Sequence, residues 1–332
     1  MRANRNGMTV VITGASAGVG RASAHEFARR GARIALISRD QAALDDVRRE
    51  VKELGGEAIA IALDVSDASA VEAAASRAEA ELGPIDVWVN NAMTTVFAPL
   101  HDISPDEYRR ATEVTYLGYV WGTMSALRRM RPRNRGTIVQ VGSALAYRSI
   151  PLQSPYCGAK HAIRGFTDSV RSELMHDHSR VHLTMVQMPA LNTPQFEWAE
   201  CKLPHPPQPV PPIFQPEVAA HAVVWAATHR RRELYVGSST IKAIWANKFV
   251  AGLLDRYLAR AGYSAQMQER SVASDRASNL WHPVPDLHAT CGPFGDRVSA
   301  SSAALWVDEH RNWLLAGAAT GLIATLLAIR RR

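Results

Sequence analysis

An α/β fold is predicted, a doubly wound parallel sheet of seven strands followed by a C-terminal helical extension. Three observations predict it. Short apolar, β-branched runs alternate with longer amphipathic stretches from Met8 to Val236. Each run is bounded by turn or charged residues, and a glycine-rich turn directly follows the first of them. Alternation of this kind is the sequence form of repeated βαβ units, whose right-handed crossovers place helices on both faces of one sheet.

Taken in order, the strands are expected near Thr9–Ile12, Arg33–Ile37, Glu57–Ala62, Val87–Asn90, Gly136–Val141, Val181–Gln187 and Glu233–Val236. Between the second and third, Asp40 to Leu54 carries Leu44, Val47, Val51 and Leu54 at helical spacing, and Gly55 and Gly56 stop the helix. Residues Pro189 to Pro216 hold nine prolines, which break both ladder and helix and predict a long structured loop or lid. A helix-like stretch, Thr240 to Ala261, comes next. Ser264 to Ser302 is rich in Ser, Pro, Asp and Gly with weak periodicity. The chain therefore divides into a sheet domain over 1–238, a helical extension over 239–263, a linker over 264–310 and a hydrophobic helix over 311–332.

Composition bounds the function. The 332 residues, 47% hydrophobic and 21% charged, are ordinary for a globular chain. Cys157, Cys201 and Cys291 are far apart and odd in number, which suggests neither a disulfide framework nor a zinc site. Cys157 reads as a small packing residue. No His, Cys and carboxylate set stands at a metal-binding spacing, so no metal is expected. The net charge of +7 attracts phosphate, but no nucleic-acid motif accompanies it. No signal-peptide core is present near the start, and a cytoplasmic location is expected, either free or on the cytoplasmic side of a membrane.

The string Thr13 to Gly20, TGASAGVG, follows the first strand directly and opens the first helix. Glycines there let the backbone approach a pyrophosphate, and the helix N-terminus attracts the anion. Gly14, Ser16, Gly18, Val19 and Gly20 are the candidate contacts. The second strand ends at Ser38, Arg39 and Asp40, where an adenosine ribose would lie. An arginine placed first can pair with a 2′-phosphate, which favours NADP(H) over NAD(H). Asp64 and Val65 follow the third strand, and Asn90, Asn91 and Ala92 follow the fourth. All stand at strand carboxyl ends, where open α/β sheets bind ligands.

Ser143 closes the fifth strand, and thirteen residues later Tyr156 begins Tyr156-Cys157-Gly158-Ala159-Lys160. Lys160 is one turn along the same helix face. A phenol is a poor base at its ordinary pKa near 10, but a neighbouring ammonium and a positive nicotinamide favour the phenolate. Tyr156 can then exchange a proton near neutral pH, with Ser143 holding the substrate oxygen.

The Gly14, Gly18 and Gly20 turn, Asp64, the Asn90-Asn91-Ala92 run, Ser143, Tyr156 and Lys160 together resemble the short-chain dehydrogenase/reductase family over about Met8 to Val236. The resemblance implies a seven-stranded Rossmann sheet, reversible carbonyl and alcohol chemistry, a nicotinamide cofactor and assembly as a homo-oligomer. It also implies nicotinamide contacts from Pro189 and Thr193, in a stretch where Ala190 replaces a customary glycine. Two further departures matter. Met93 stands where glycine usually follows Asn-Asn-Ala. Thr115 stands where an asparagine usually holds a water near the catalytic lysine, so its hydroxyl is expected to hold that water with fewer bonds.

The expected function is therefore NADP(H)-dependent interconversion of a carbonyl and a secondary alcohol. The alternative is a non-catalytic NADP(H)-binding or scaffold protein. A substrate crevice walled by Val96, Phe97, Leu145 and Tyr147 with lid residues Phe196, Trp198, Leu203, Val210, Ile213 and Phe214 points to a hydrophobic carbonyl or alcohol.

Trp313 to Ile329 is seventeen residues without a charge. A helix of that length spans about 26 Å, slightly short of a hydrocarbon core of about 30 Å. It is expected to anchor the protein to a membrane, with a buried dimer helix as the rival. Arginine clusters at Arg29–Arg30, Arg128–Arg135, Arg180 and Arg230–Arg232 precede strands and should gather on the edge opposite the crevice, facing anionic lipid or simply completing helix C-termini.

Overall fold

The computed structural model describes residues 7–273 and 276–314. Seven strands form one sheet: β1 Thr9–Thr13, β2 Arg33–Ser38, β3 Glu57–Ala62, β4 Ile85–Asn90, β5 Thr137–Val141, β6 His182–Gln187 and β7 Glu233–Tyr235. Every ladder is parallel. The order is β7-β6-β5-β4-β1-β2-β3, the doubly wound arrangement. All seven expected strands are present, with ends within two residues of the expected ones.

The strands read as continuous apolar runs because both faces of the sheet are covered. On β1, Val10 and Ile12 enter one core with Phe27, Leu44 and Val223, while Val11 enters the other with Ala75, Leu82 and Ile138. This is the period-2 alternation of a strand expressed as two hydrophobic layers. The first layer is covered by α1 Gly18–Ala28, α2 Gln41–Glu53 and α7 Pro216–Thr228. The second is covered by α3 Ala68–Leu82, α5 Gly118–Met130 and α6 Ser154–His176. Polar residues start these helices. Asp40 accepts the Ala43 amide (3.1 Å), Asp67 accepts the Ser69 and Ala70 amides (2.8 and 3.0 Å), and Ser104 and Glu107 form a capping box on α4 Pro105–Thr112.

The chain turns outward in opposite directions after β1 and β4, and the carboxyl ends of these neighbours open the crevice that positions the site. A long helix, α8 Ser238–Ala261, follows the sheet and is interrupted at Val250 (φ −136°, ψ 37°). The stretch expected to be a linker is instead packed on the domain. Leu280 and Phe294 are buried, Val298–Ser299 pairs with Ile213–Phe214, and a helical run covers 303–314. Its apolar anchors are too widely spaced to show periodicity, since each enters its own pocket rather than a shared face.

The expected membrane-anchoring segment lies outside the described residues from position 315 onward. Among the described residues no helix is long and apolar enough to cross a membrane. The arginine clusters pair with carboxylates: Arg30 with Glu26 (2.9 Å), Arg128 and Arg129 with Glu72 (2.9 and 2.8 Å), and Arg135 with Asp86 (2.9 Å). Arg232 pairs with Asp168 (2.6 Å), whereas Arg180, Arg230 and Arg231 have no carboxylate partner among the described residues, so pairing accounts for part of this arginine edge.

Candidate active site

The glycine turn is built as its residues require. Gly14 has φ +68°, and a Cβ there would stand 2.8 Å from the Ala92 Cα. A Cβ on Gly20 would meet the Gly14 carbonyl oxygen at 2.0 Å, so any larger residue would force α1 off the turn. Asn91 braces the turn, donating from Nδ2 to the Thr13 and Gly14 carbonyls (3.0 and 3.1 Å). The first turn of α1 therefore faces the crevice with a fixed backbone, a geometry suited to a diphosphate.

A single cleft with a cavity of about 450 Å³ joins this turn to the catalytic candidates. Gly14, Ser16, Gly18, Val19, Arg39, Asp64, Val65, Asn91 and Ala92 line it around the turn, with Thr193 next to Gly18, and Ser143, Tyr156, Lys160 and Pro189 line the rest. Met93 lines it as well. Gly20 supports the turn from behind.

Asn90 is placed differently from the expectation. Its side chain is fully buried under the sheet, donating to Thr123 (3.1 Å) and Gln140 (2.9 Å) and accepting from the Trp88 indole (2.8 Å). It fixes β4 against α5 and β5 instead of entering the cleft.

Thr115 also departs from its expected role. It sits in a π-helical turn, Glu113–Leu117, between α4 and α5. Its hydroxyl donates to the Thr94 carbonyl (2.7 Å) and accepts the Thr94 amide (3.0 Å). Both bonds hold the strand after Ala92, and the side chain is 0% exposed. The lysine partner is Tyr119, one helical turn further on, which the sequence reading did not single out. Lys160 Nζ donates to the Tyr119 hydroxyl (3.1 Å) and to the Val141 carbonyl (2.7 Å), and the Tyr119 hydroxyl donates to that same carbonyl (3.0 Å). A buried tyrosine needs a polar partner for its hydroxyl, and that rule is the one signal that could have flagged it.

Electrostatics are dominated by burial. Desolvation pushes the Tyr156 phenol up to about 12, with Ser143 hydrogen bonding pulling partly the other way. The same effect brings the Lys160 ammonium down to about 7. The expectation of a phenolate favoured by its ammonium neighbour is thus reversed within the protein alone, because both groups are removed from water. Tyr156 rests as a neutral phenol, the form that donates a proton. Ser143 is oriented by its backbone N–H, which donates to Gln187 Oε1 (2.9 Å), and by the Leu145 amide, which donates to its hydroxyl (3.1 Å).

Removing the Tyr119 hydroxyl takes an acceptor from the Lys160 ammonium. Tyr119→Phe is expected to move the alkaline limb of the pH–rate profile to lower pH, because the charged form loses a stabilising partner. An unmoved limb with an equal loss of rate at every pH would show that Tyr119 acts through packing alone.

At the other end, burial would raise the Asp64 carboxyl, but Arg110 and Ser66 hydrogen bonds outweigh it and hold the group below its ordinary value. Asp40 is occupied by the α2 cap and by His288 Nε2 (3.0 Å). Leu145, Ile150, Phe196, Val210 and Leu258 give the cleft apolar walls, and Trp198 lines it beside His288. Val96, Phe97, Leu203 and Ile213, expected in that wall, instead pack in small cores behind it. Phe214 joins the main core, and Tyr147 hydrogen-bonds to Glu233. The share taken by α8 was not legible in advance. Cys157 is buried with its thiol pushed up by desolvation, as befits a packing residue. Among the described residues no cluster of His, Cys, Asp or Glu could hold a metal ion.

A doubly wound sheet with a phosphate-suited turn, and a Ser, Tyr and Lys set at the other end of one cleft, defines a nucleotide-dependent oxidoreductase. The family model for short chain dehydrogenase matches residues 8–200. An uncharacterized oxidoreductase, YxnA, of Bacillus subtilis (strain 168) is 33% identical over 281 residues, 84% of this chain and 79% of the relative. The 3-dehydrosphinganine reductase of Danio rerio is 31% identical over 196 residues, 58% of each chain. An alcohol dehydrogenase from the archaeon Thermococcus sibiricus, solved with 5-hydroxy-NADP, superposes with a TM-score of 0.61 at 28% identity, covering 69% of this chain and 95% of its own. The chain belongs to the short-chain dehydrogenase family.

Proposed function

We propose that this protein is an NADP(H)-dependent oxidoreductase that interconverts a carbonyl and a secondary alcohol on a hydrophobic substrate. The observation that carries this reading is the single cleft, which holds the glycine turn and Arg39 at one end and Ser143, Tyr156 and Lys160 at the other. A nicotinamide bound along it supplies or accepts the hydride.

The chain's own groups supply the proton chemistry. In carbonyl reduction Ser143 donates a hydrogen bond to the carbonyl oxygen, and Tyr156 transfers its phenolic proton to that oxygen as negative charge develops. Lys160, pinned by Val141 and Tyr119, places its charge near the Tyr156 ring, 5.5 Å from the centroid, and stabilises the phenolate left behind. Oxidation of an alcohol reverses these steps. The apolar walls around this end exclude water and favour a hydrophobic substrate.

Cofactor choice follows from the end of β2. Asp40, the carboxylate that could read a ribose 2′-hydroxyl, already serves the α2 cap and His288. Arg39 lines the cleft with its guanidinium on the neutral main-chain carbonyls of Asn279, Leu280 and Trp281, which a 2′-phosphate, as the stronger acceptor, would displace. Fluorescence titration of NADPH and NADH against the protein and its Arg39→Ala variant tests this. A charge-assisted hydrogen bond is worth about 1.5–3 kcal/mol, so NADPH affinity should fall on the order of tenfold to a hundredfold. NADH carries no phosphate for Arg39, so its affinity should fall by less than that of NADPH, and the ratio of the two affinities is the quantity read. Equal weakening of both nucleotides would overturn the NADP(H) assignment. No binding of either would leave the scaffold reading standing.

A further inference from the structure

The adenosine end of the cleft is crossed by chain that comes from beyond the sheet domain. Residues 279–294 run over it without regular helix or strand, fastened at both ends and in the middle. At the first fastening Leu280 is 0% exposed among Val96, Ala98 and Ile103. Its carbonyl accepts from Arg110 Nε (3.0 Å) and from Arg39 (3.4 Å), and Arg39 also donates to the carbonyls of Trp281 (3.1 Å) and Asn279. In the middle, His288 Nε2 meets Asp40 (3.0 Å), and the Ala289 carbonyl accepts the amide of Gly18, in the first turn of α1 (3.0 Å). At the far end the Gly292 amide donates to the Asn192 carbonyl (3.1 Å), and Phe294 is buried beside Phe196.

Between these points the segment arches. Pro283, Val284 and His288 line the cavity from outside, while Trp281, His282, Pro285 and Asp286 are exposed. The donors it engages are those that a dinucleotide phosphate would seek: the Arg39 guanidinium and a first-turn amide of α1. One polar atom of the arch is left over. His288 Nδ1 is buried and has no hydrogen-bond partner. A buried ring nitrogen without a partner costs free energy, so the closed arch holds this ring at a cost that its lifting relieves.

The geometry points to a strap: residues 279–294 form the outer wall of the adenosine site, and the dinucleotide enters and leaves only when this wall lifts. His288 is then a further residue of the cofactor wall, held by Asp40 through Nε2 and lining the cavity beside Trp198. The inference rests on the reading of the cleft as a dinucleotide site. Arg39 links the two events, because a 2′-phosphate arriving there replaces the Asn279, Leu280 and Trp281 carbonyls as its acceptor. The strap has no ladder or helix of its own to break, and its opening must also release Arg21 from the His288 carbonyl, Thr94 from the Asn279 side chain (3.2 Å) and the Asn279 amide from the Trp198 carbonyl (2.8 Å). Motions of this kind set exchange rates in enzymes with lids.

Stopped-flow fluorescence with the full-length protein tests the strap, using NADPH for association and a chase with excess unlabelled nucleotide for release. Wild type is expected to show an association rate that levels off with NADPH concentration, the signature of a preceding opening step. Leu280→Ala and His288→Ala should each speed release by about tenfold or more, as loss of one fastening of 1.4 kcal/mol does. His288→Ala removes no core side chain, and if Leu280→Ala fails to fold the deciding readout is the association rate of His288→Ala, which should no longer level off with NADPH concentration, since a lost nucleotide contact alone would speed release without removing that plateau. Release rates within about twofold of wild type for the folded variants would overturn the strap while leaving the cofactor site intact. Binding by the variants but not by wild type would support a closed strap. Binding by neither would overturn the cleft's assignment and the strap with it.

Discussion

Tyr156→Phe should lower kcat by roughly 10²- to 10⁴-fold while leaving NADPH affinity within about twofold, because general acid–base groups contribute about that much and the phenol ring is retained. The argument rests on the resting state of this site. With the phenol pushed up to about 12, Tyr156 is fully protonated at neutral pH and is the proton source placed beside Ser143. Its removal leaves the developing alkoxide with the Ser143 hydroxyl, which can donate a hydrogen bond but is a far weaker proton donor. Steady-state kinetics with a hydrophobic ketone, together with nucleotide titration of the same preparation, measure both quantities. A variant that kept more than about a tenth of the activity would show that the proton reaches the substrate by another route.

The sequence made the sheet legible because parallel strands buried on both faces read as apolar runs, and the TGASAGVG turn fixes where the first βα unit begins. The catalytic set was legible for a related reason. Tyr156 and Lys160 share one helix, so their spacing alone places them together, and Ser143 closes the strand before it. Asn90 and Thr115 are placed differently from the sequence expectation, and Tyr119 was not singled out, because their roles depend on which way a side chain turns at a given backbone position. Asn90 faces into the interior beneath β5, and a single residue step would have turned it to the opposite face. Thr115 lies in a π-helical turn, which shifts the helical phase, so counting residues from the family pattern misplaces its hydroxyl relative to Lys160.

The strap illustrates a different limit. Its polar composition and missing periodicity are those of a linker, and its attachment depends on carbonyls of Asn279, Leu280, Trp281 and Ala289, which every residue type carries. Main-chain acceptors leave no mark in a sequence. Only Leu280 and Phe294, two apolar residues fourteen positions apart, record that this segment is tied down at both ends. Arg39 was assigned to the cofactor from its place after β2, and that place is the reason it can serve the strap as well.

Lys160→Met is expected to abolish activity and to stabilise the fold at neutral pH. Wild-type Lys160 is 2% exposed, and desolvation brings its ammonium down to about 7 from the ordinary lysine value. In the unfolded chain the same side chain titrates near 10.4. Between these two values the unfolded state holds a proton that the folded state does not, so wild-type stability should rise with pH from about 7 to about 10. Below about pH 7 the cost is fully present, because the folded protein must then carry a buried ammonium whose partners are two neutral oxygens, of Tyr119 and Val141. Methionine has a similar length and no charge, and fills the same space at no such cost. Each tenfold displacement of a proton equilibrium is worth about 1.4 kcal/mol, so the gain at neutral pH should be on the order of a few kcal/mol. Thermal unfolding of both proteins from pH 6 to pH 10 measures it. The two Tm curves should converge as pH rises, since the wild-type penalty disappears there. Curves that stay parallel, or a methionine variant less stable at pH 6, would mean that the ammonium is well solvated. The loss of activity is then the cost of that stability, because an apolar side chain cannot hold the phenolate that Tyr156 leaves behind.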